Sequence, residues 1–564
     1  MSGVWVGLAT AFVAVVQIRL AQAPLYGYDE AWHLYLSAVS PITKALEEMA
    51  VDPHPPLYYL LLRPLTYIGP EPFWPRLLSV LATIALVPLW YLLLRKLDLG
   101  RAVAATLTLT LALSHGFNEL GLTVRAYSLA ALCLVAALWF WADFMGVSRA
   151  RPSRGSLRAL LALLTAAFWL SYYAVFFSAA LVAASVLAAL SNPGVRTGML
   201  DAWRQYFRWP ERIGVFALHG LGIGWLMVGY GRAGVAAPPH VSSYLLQPGQ
   251  DVPAFLRSGL GGYLELFTPL IGLGAQAQVI ALLVLGLALV WLLQDALRRG
   301  AAAHAALLLA IPLVLSMLFL TGVAGLYPFG GYLRHQHLLL FLLLVALGIG
   351  LQRALGQVHT RMVTWSMLSL VVGVAAVSSA VATRQDPLGE MPPAPPLAGV
   401  IDAAFGMEGE PAPVYTAVYP FYILYADRFG DGVDYRASYG HIGTRWVDVG
   451  ALGNVLKSLR IRREWDEYIV AAASGQTVPL YRDRTLFQWP EAPGPELFER
   501  LRELMDRRGL HRLWILHAPS DGASHESRHA SASDAFARHG FRVLRVHVGD
   551  EGVAWLISRS RAND

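Results

Sequence analysis

The feature that most limits what this chain can fold into is a series of apolar windows, each long enough to cross a lipid bilayer. They fall near residues 4–22, 77–94, 102–118, 126–145, 159–175, 176–191, 213–230, 278–296, 304–324, 335–352 and 362–381. A helix crossing ~30 Å of hydrocarbon needs about 20 apolar residues. Only helices or closed barrels satisfy their backbone polar groups there. The chain therefore reads as an α-helical multi-pass protein with about eleven or more transmembrane helices. Charged residues make up 15% of the chain, well short of the ~25% of soluble domains. The first window has no basic n-region and no small-residue cleavage site, so it reads as a retained helix. Cys133 is the single cysteine, which excludes an intrachain disulfide.

Loop charge sets the expected orientation. One alternate set of short loops holds Arg95, Lys96, Arg101, Arg149, Arg151, Arg154, Arg158, Arg196, Arg204, Arg208, Arg212, Arg298, Arg299, Arg353 and Arg361. The other set is poorer in cations. The positive-inside rule makes the first set cytoplasmic, with the N-terminus inside and the C-terminal region outside, periplasmic or extracellular. The same bias explains the net charge of +6 without a nucleic-acid partner.

Three parts are expected: a transmembrane domain over 1–384, a Pro-rich linker over 385–400 and a soluble α/β domain over 401–564. Two outer loops, 23–76 and 231–277, are too long to be turns. In the tail, PVYTAVY, HRLWILHA, FRVLRVHV and GVAWLIS read as strands, and GPELFERLRELMDRRG and SDAFARHG as helices. HESRH (525–529) matches a zinc-protease pattern, but Arg528 between the ligands and the polar flanks are wrong for a dry zinc shell.

Ionisable residues gather on the outer side. YGYDEAWHLYLS (26–37) follows the first span and carries Asp29 and Glu30. VDPHPPLYYLLLRPL (51–65) carries Asp52 and His54. NELGLTVRAYSLA (118–130) carries Glu119 and Arg125. PFGGYLRHQH (328–337) carries Tyr332, Arg334, His335 and His337. Charges beside hydrocarbon are costly, so such a gathering is a functional-site hypothesis. Arg76, opening an apolar helix, reads as a cation snorkelling to headgroups.

The ordered set DEA, D-x-HPPLYYLLL, RLLSVL, R-x-YSLA and RH entering an apolar run covers roughly the first 350 residues. It resembles the bacterial GT-C glycosyltransferases, and most of all the family-39-like group related to protein mannosyltransferases. The resemblance implies a membrane enzyme that takes a sugar from a polyprenyl-phosphate carrier and passes it to an acceptor on the outer face. It also implies that Asp29 is the catalytic base. Inverting transfer needs one carboxylate to take the acceptor proton and positive charge on the departing phosphate. Asp29 fits the first role, with Glu30 beside it to orient the acceptor, support Asp29 or bind a metal. Arg334, Arg125, His54 and His335 are the candidates for the phosphate, with Asp52, Glu119 and Tyr332 in support. Thr123 stands where many relatives carry an acid or Gln, and Ser171, Tyr172 and Tyr173 where relatives often carry His. No metal-ligand set is assigned; a divalent cation such as Mg2+ or Mn2+ stays open. So does the acceptor, which is a lipid, a polysaccharide or a protein. Two other classes compete: a lipid-linked-sugar transporter or flippase, and a non-catalytic glycan assembly protein. Transporters usually show inverted repeats and broken helices, and the sequence shows neither.

Overall fold

The computed structural model describes residues 2–22, 30, 33–34, 36–37, 42–49, 54–68, 73–147, 153–233, 245–246, 250–267, 275–324, 327–330, 333–356, 366, 369–373, 376–377, 413–416, 466–467, 469–471, 481–482, 495–508, 511–517, 525–549 and 552–559. Within the first 356 residues the described elements are helical: α1 (Ser2–Leu20), α2 (Ile42–Met49), α3 (Leu57–Leu62), α4 (Phe73–Lys96), α5 (Arg101–Leu113), α6 (His115–Leu122), α7 (Tyr127–Phe144), α8 (Arg154–Leu170), α9 (Ala174–Leu190), α10 (Pro193–Tyr206), α11 (Trp209–Ala233), α12 (Val252–Phe267), α13 (Ala275–Arg298), α14 (Ala302–Val323) and α15 (Leu333–Gly356). Among the described residues six helices are long and apolar enough to cross a membrane: α1, α4, α7, α13, α14 and α15. Helices α5 and α9 are apolar but shorter. The chain is therefore a multi-pass membrane protein. The expected span at 362–381 lies largely outside the described residues.

Local chemistry sets the helix ends. Helix α4 stops at Asp98, whose φ of 64° turns the chain out of the helix. Lys96 Nζ then pairs with Asp143 Oδ1 at 2.8 Å, joining the ends of α4 and α7. Ser153 caps α8, its side chain accepting from the Ser156 N–H, and Asn192 caps α10 by accepting from the Val195 N–H.

The window read as one span at 102–118 is two helices. Ser114 between α5 and α6 is extended, at φ −66° and ψ 124°. The carbonyls freed by the break are met by Asn118, whose Nδ2 donates to Ala112 O at 2.8 Å and to Ser114 O at 3.0 Å. Gln17 on α1 is fully buried and donates to Asn118 O at 2.8 Å. A helix can break inside a bundle only where neighbours take over the released groups, and hydrophobicity alone does not reveal that. The expectation that this chain lacks broken helices is thus corrected.

The membrane core is built from α4, α5, α7, α9, α14 and α15, with Trp90, Leu134, Ala180, Leu308 and Leu342 buried in one cluster. Trp90 meets Phe341 edge-on at 5.3 Å.

Farther along, β1 (Pro413–Thr416), β2 (Asp466–Glu467), β3 (Ile469–Ala471), β4 (Tyr481–Arg482), β5 (Arg512–His517), β6 (Phe541–Gly549) and β7 (Gly552–Arg559) alternate with α16 (Pro495–Arg508) and α17 (His525–Arg538). Five of the strands form one sheet in the order β3-β1-β5-β7-β6. The β1–β5 pair is parallel and the others antiparallel. Alternate residues of β5 and β7, namely Leu513, Ile515, Trp555 and Ile557, pack under Phe498 and Leu501 of α16 and Phe536 of α17. HESRH opens α17. The four tail segments read as strands contain β1, β5, β6 and β7.

Candidate functional site

The site is organised by the irregular segment Thr123–Ala126 between α6 and α7. Thr123 is extended, at φ −76° and ψ 142°, so Val124 sits where the helical hydrogen-bond ladder has stopped. A buried N–H there needs an acceptor from elsewhere. Glu30 supplies it: its Oε1 accepts from Val124 N at 2.8 Å. The other oxygen, Oε2, lies 3.6 Å from Arg76 Nη2, and both side chains are almost wholly buried. Arg76 also donates from Nη1 to Ala21 O at 3.2 Å, at the end of α1. Arg76 does not snorkel to headgroups, as its sequence position suggests. It is 4% exposed and turned inward to a carboxylate, because a buried carboxylate needs a cation more than a headgroup does.

Arg125, the next residue after Val124, is likewise 4% exposed. Its Nη1 donates to Tyr127 Oη at 2.5 Å and lies 3.4 Å from His54 Nε2. A guanidinium has no acceptor, so His54 Nε2 accepts in this contact. The Arg125 carbonyl accepts from Ser79 Oγ at 3.0 Å, and Ser79 Oγ also meets Tyr58 Oη at 3.2 Å. Thr83 donates to Ser128 Oγ at 2.9 Å. Arg76, Ser79 and Thr83 fall at i, i+3 and i+7 of α4, one polar stripe facing the segment. Burial pushes the Tyr58 phenol well above its ordinary range, so it stays neutral.

Helical positions Glu30, His33, Leu34, Leu36 and Ser37 follow the first span. His33 is 1% exposed, with its ring 5.1 Å from His54 and 4.8 Å from Tyr59. Arg63 Nη1 donates to Ser37 O at 2.9 Å, tying this stretch to the end of α3.

The start of α15 reaches the cluster through rings. Tyr127 lies 5.2 Å from His337, and His337 Nδ1 donates to Arg334 O at 3.0 Å. Tyr327 stacks on Tyr173 at 5.8 Å and donates to His335 O at 3.1 Å. Gln336, fully buried, accepts from Tyr263 Oη at 2.7 Å and donates to Gly330 O at 2.8 Å and Pro328 O at 3.2 Å. Gly330 has φ +82°, and a Cβ there would lie 2.9 Å from Gly259 O. Only glycine fits that turn.

Of the residues singled out from sequence, Glu30, Arg125 and His54 are thus joined by direct contacts or adjacency. Arg334 and His335, both half-buried, are linked to them through His337 and Tyr127. Glu119 pairs with His115 Nε2 at 4.0 Å, one turn away on α6. Asp29, Asp52 and Tyr332 lie outside the described residues. Among the described residues no group of three His, Cys, Asp or Glu is placed to hold a metal ion. His33, Tyr127 and Gln336 carry no expectation from sequence, and Arg76 only that of a headgroup anchor. Arg76 and Ser79 both stand in the RLLS stretch, whose i, i+3 spacing could have pointed to one polar face.

Among solved structures, the crystal structure of ArnT from Cupriavidus metallidurans bound to undecaprenyl phosphate matches at TM-score 0.53 and 14% identity, over 98% of this chain and 98% of that one. This chain has a GT-C fold. The GT-C match extends to ArnT in the apo state, at TM-score 0.52 and 13% identity over 98% of this chain and 97% of that one. The S. cerevisiae protein O-mannosyltransferase Pmt1–Pmt2 complex bound to the sugar donor aligns at 16% identity over 44% of this chain. This chain spans only 37% of that protein's length, and the TM-score of 0.30 establishes no common fold. No family model matches the sequence, and no curated protein matches it. The GT-C fold carries the buried cluster where helix breaks and irregular segments meet.

Proposed function

We propose that this chain is a glycosyltransferase of the cytoplasmic membrane. It takes a sugar from a polyprenyl-phosphate donor of the undecaprenyl type and transfers it, with inversion, to an acceptor hydroxyl on the outer face. The observation that carries the reading is Arg125: a buried guanidinium, held by Tyr127 and His54, one residue from the amide that the carboxylate next to Asp29 engages. Cations held in a low-dielectric setting are what a departing phosphate requires. Asp29 takes the acceptor proton as the acceptor oxygen attacks C1. The bond from C1 to the phosphate oxygen breaks, and its electron pair leaves on the phosphate. Arg125, with Arg334 and His335 at the start of α15, offsets the charge. The N-terminus lies on the cytoplasmic side and the C-terminal α/β region outside. The acceptor is a lipid, a polysaccharide or a protein of the envelope.

The break at Ser114 favours a second reading, a carrier that moves lipid-linked sugars across the bilayer, since broken helices line many transport sites. Purified protein assayed with a panel of polyprenyl-phosphate sugars separates the two. The enzyme releases free polyprenyl phosphate with at least one donor, and Asp29→Asn lowers that turnover at least 100-fold, as loss of a general base does. Full turnover by Asp29→Asn removes the proposed base. Translocation without release supports the carrier.

A further inference from the structure

We infer that Glu30 is a positioning residue: its carboxylate locks the Thr123–Ala126 segment, and Arg125 with it, against the stretch of chain that holds Asp29. The importance of that lock for turnover rests on the glycosyltransferase reading above. Each carboxylate oxygen has a structural task. Oε1 satisfies the Val124 amide at 2.8 Å, and Oε2 balances Arg76 at 3.6 Å. Arg76 in turn holds the Ala21 carbonyl at the end of the first span. One carboxylate therefore ties together α1, α4 and the α6–α7 junction. Both oxygens thus face the frame, on a side chain that is almost wholly buried, which is the geometry of a support. Ser79 holds the Arg125 carbonyl, and Val124 and Ala126 pack with Leu34, Tyr58 and Leu62, but it is Glu30 that meets the Val124 amide. Arg125 N turns back to Thr123 O at 2.8 Å, a tight local bond that leaves the Val124 amide to Glu30. A shift at Val124 passes directly to Arg125, and a misplacement of ~1 Å in such a constellation costs about 100-fold in rate.

Three variants test this: Glu30→Ala, Arg76→Met, and Arg76→Met combined with Glu30→Gln. Glutamine keeps an acceptor for Val124 N–H, while methionine removes the cation that needs the carboxylate charge. For a positioning residue, Arg76→Met leaves a buried carboxylate unbalanced and loses activity, and adding Glu30→Gln restores kcat/KM at least tenfold over Arg76→Met alone. Glu30→Ala falls about 100-fold. If the double variant is no more active than Arg76→Met, the carboxylate acts chemically and the inference is overturned. A second readout needs no turnover. In a Cys133→Ala background, a Thr123→Cys probe is labelled faster by a maleimide when Glu30→Ala is added, and not when Glu30→Gln and Arg76→Met are added together. Equal labelling in all three overturns the lock. If labelling follows the lock while Asp29→Asn keeps full turnover, the reaction assignment fails and the lock stands.

Discussion

Arg125 shows why the residue type matters as much as its charge. The planar guanidinium reaches Tyr127 Oη and His54 Nε2 from one nitrogen while facing the Tyr127 ring at 5.6 Å. Lysine keeps the charge but concentrates it at a point on a flexible stem. Arg125→Lys is expected to raise the donor KM and lower kcat/KM by roughly 10- to 100-fold, corresponding to about 1.5–3 kcal/mol for a hydrogen bond with a charged partner. Steady-state kinetics on the purified protein check it; an unchanged kcat/KM would leave Arg125 without a role in the donor site. At this scale the sequence was a partial guide. Arg125 and His54 were legible because an ionisable group beside an apolar run has few innocent explanations. Arg76 was not, because an arginine opening an apolar helix looks the same whether it reaches out to headgroups or in to a carboxylate from a distant segment.

Elements were easier to find than to delimit. Periodicity and length located the helices, yet the one apolar window at 102–118 hides the break at Ser114, whose cost is met by Asn118 at the end of the window and by Gln17 from outside it. A similar long-range tie joins α8 to α11. Glu211, in the first turn of α11 and ahead of its apolar stretch, accepts from Arg158 Nε at 2.9 Å and Arg154 Nη2 at 2.7 Å. Desolvation raises its carboxyl pKa, but the donors from Arg158 and Arg154 overcome that and hold it at about 2, down from 4.5. A depressed acid stabilises the fold above its unfolded value and loses that contribution as pH falls toward its folded value. Thermal melts should therefore show stability that declines between about pH 4.5 and 2, with Glu211→Gln flattening that part of the curve. Both arginines are partly exposed, so added salt should shrink the difference between wild type and variant. Identical acid limbs would mean that the tie adds nothing to stability.

The whole molecule is shaped by its solvent. On α13, Ile280, Leu283, Leu287 and Trp291 are 63%, 62%, 70% and 57% exposed, forming a stripe one helix turn apart. Ala296 and Leu292 of the same helix turn inward. An apolar face of that extent is untenable in water and neutral in lipid, where tails are as apolar as leucine. The charge bias of the loops then sets which side each end occupies. On the proposed orientation, with the C-terminal α/β region outside, protease added to intact cells stripped of any outer barrier should cut near the Pro-rich 385–400 stretch. It should release a fragment of the size of 401–564 and leave the membrane part in place. Cleavage seen only after the membrane is broken would reverse the orientation.

What the sequence determined by itself was everything that depends on neighbours along the chain. It specified many spans, the α/β character of the tail, and the short list of charged residues that hydrocarbon would not tolerate without purpose. Tertiary structure alone decided which of those residues meet. It turned Arg76 toward Glu30, set Glu30 under the Val124 amide, and brought Gln17 to the Asn118 carbonyl beside the break at Ser114. The reason is physical: hydrophobic periodicity is a local property, whereas pairing a buried charge or satisfying a freed amide depends on groups brought near by the fold.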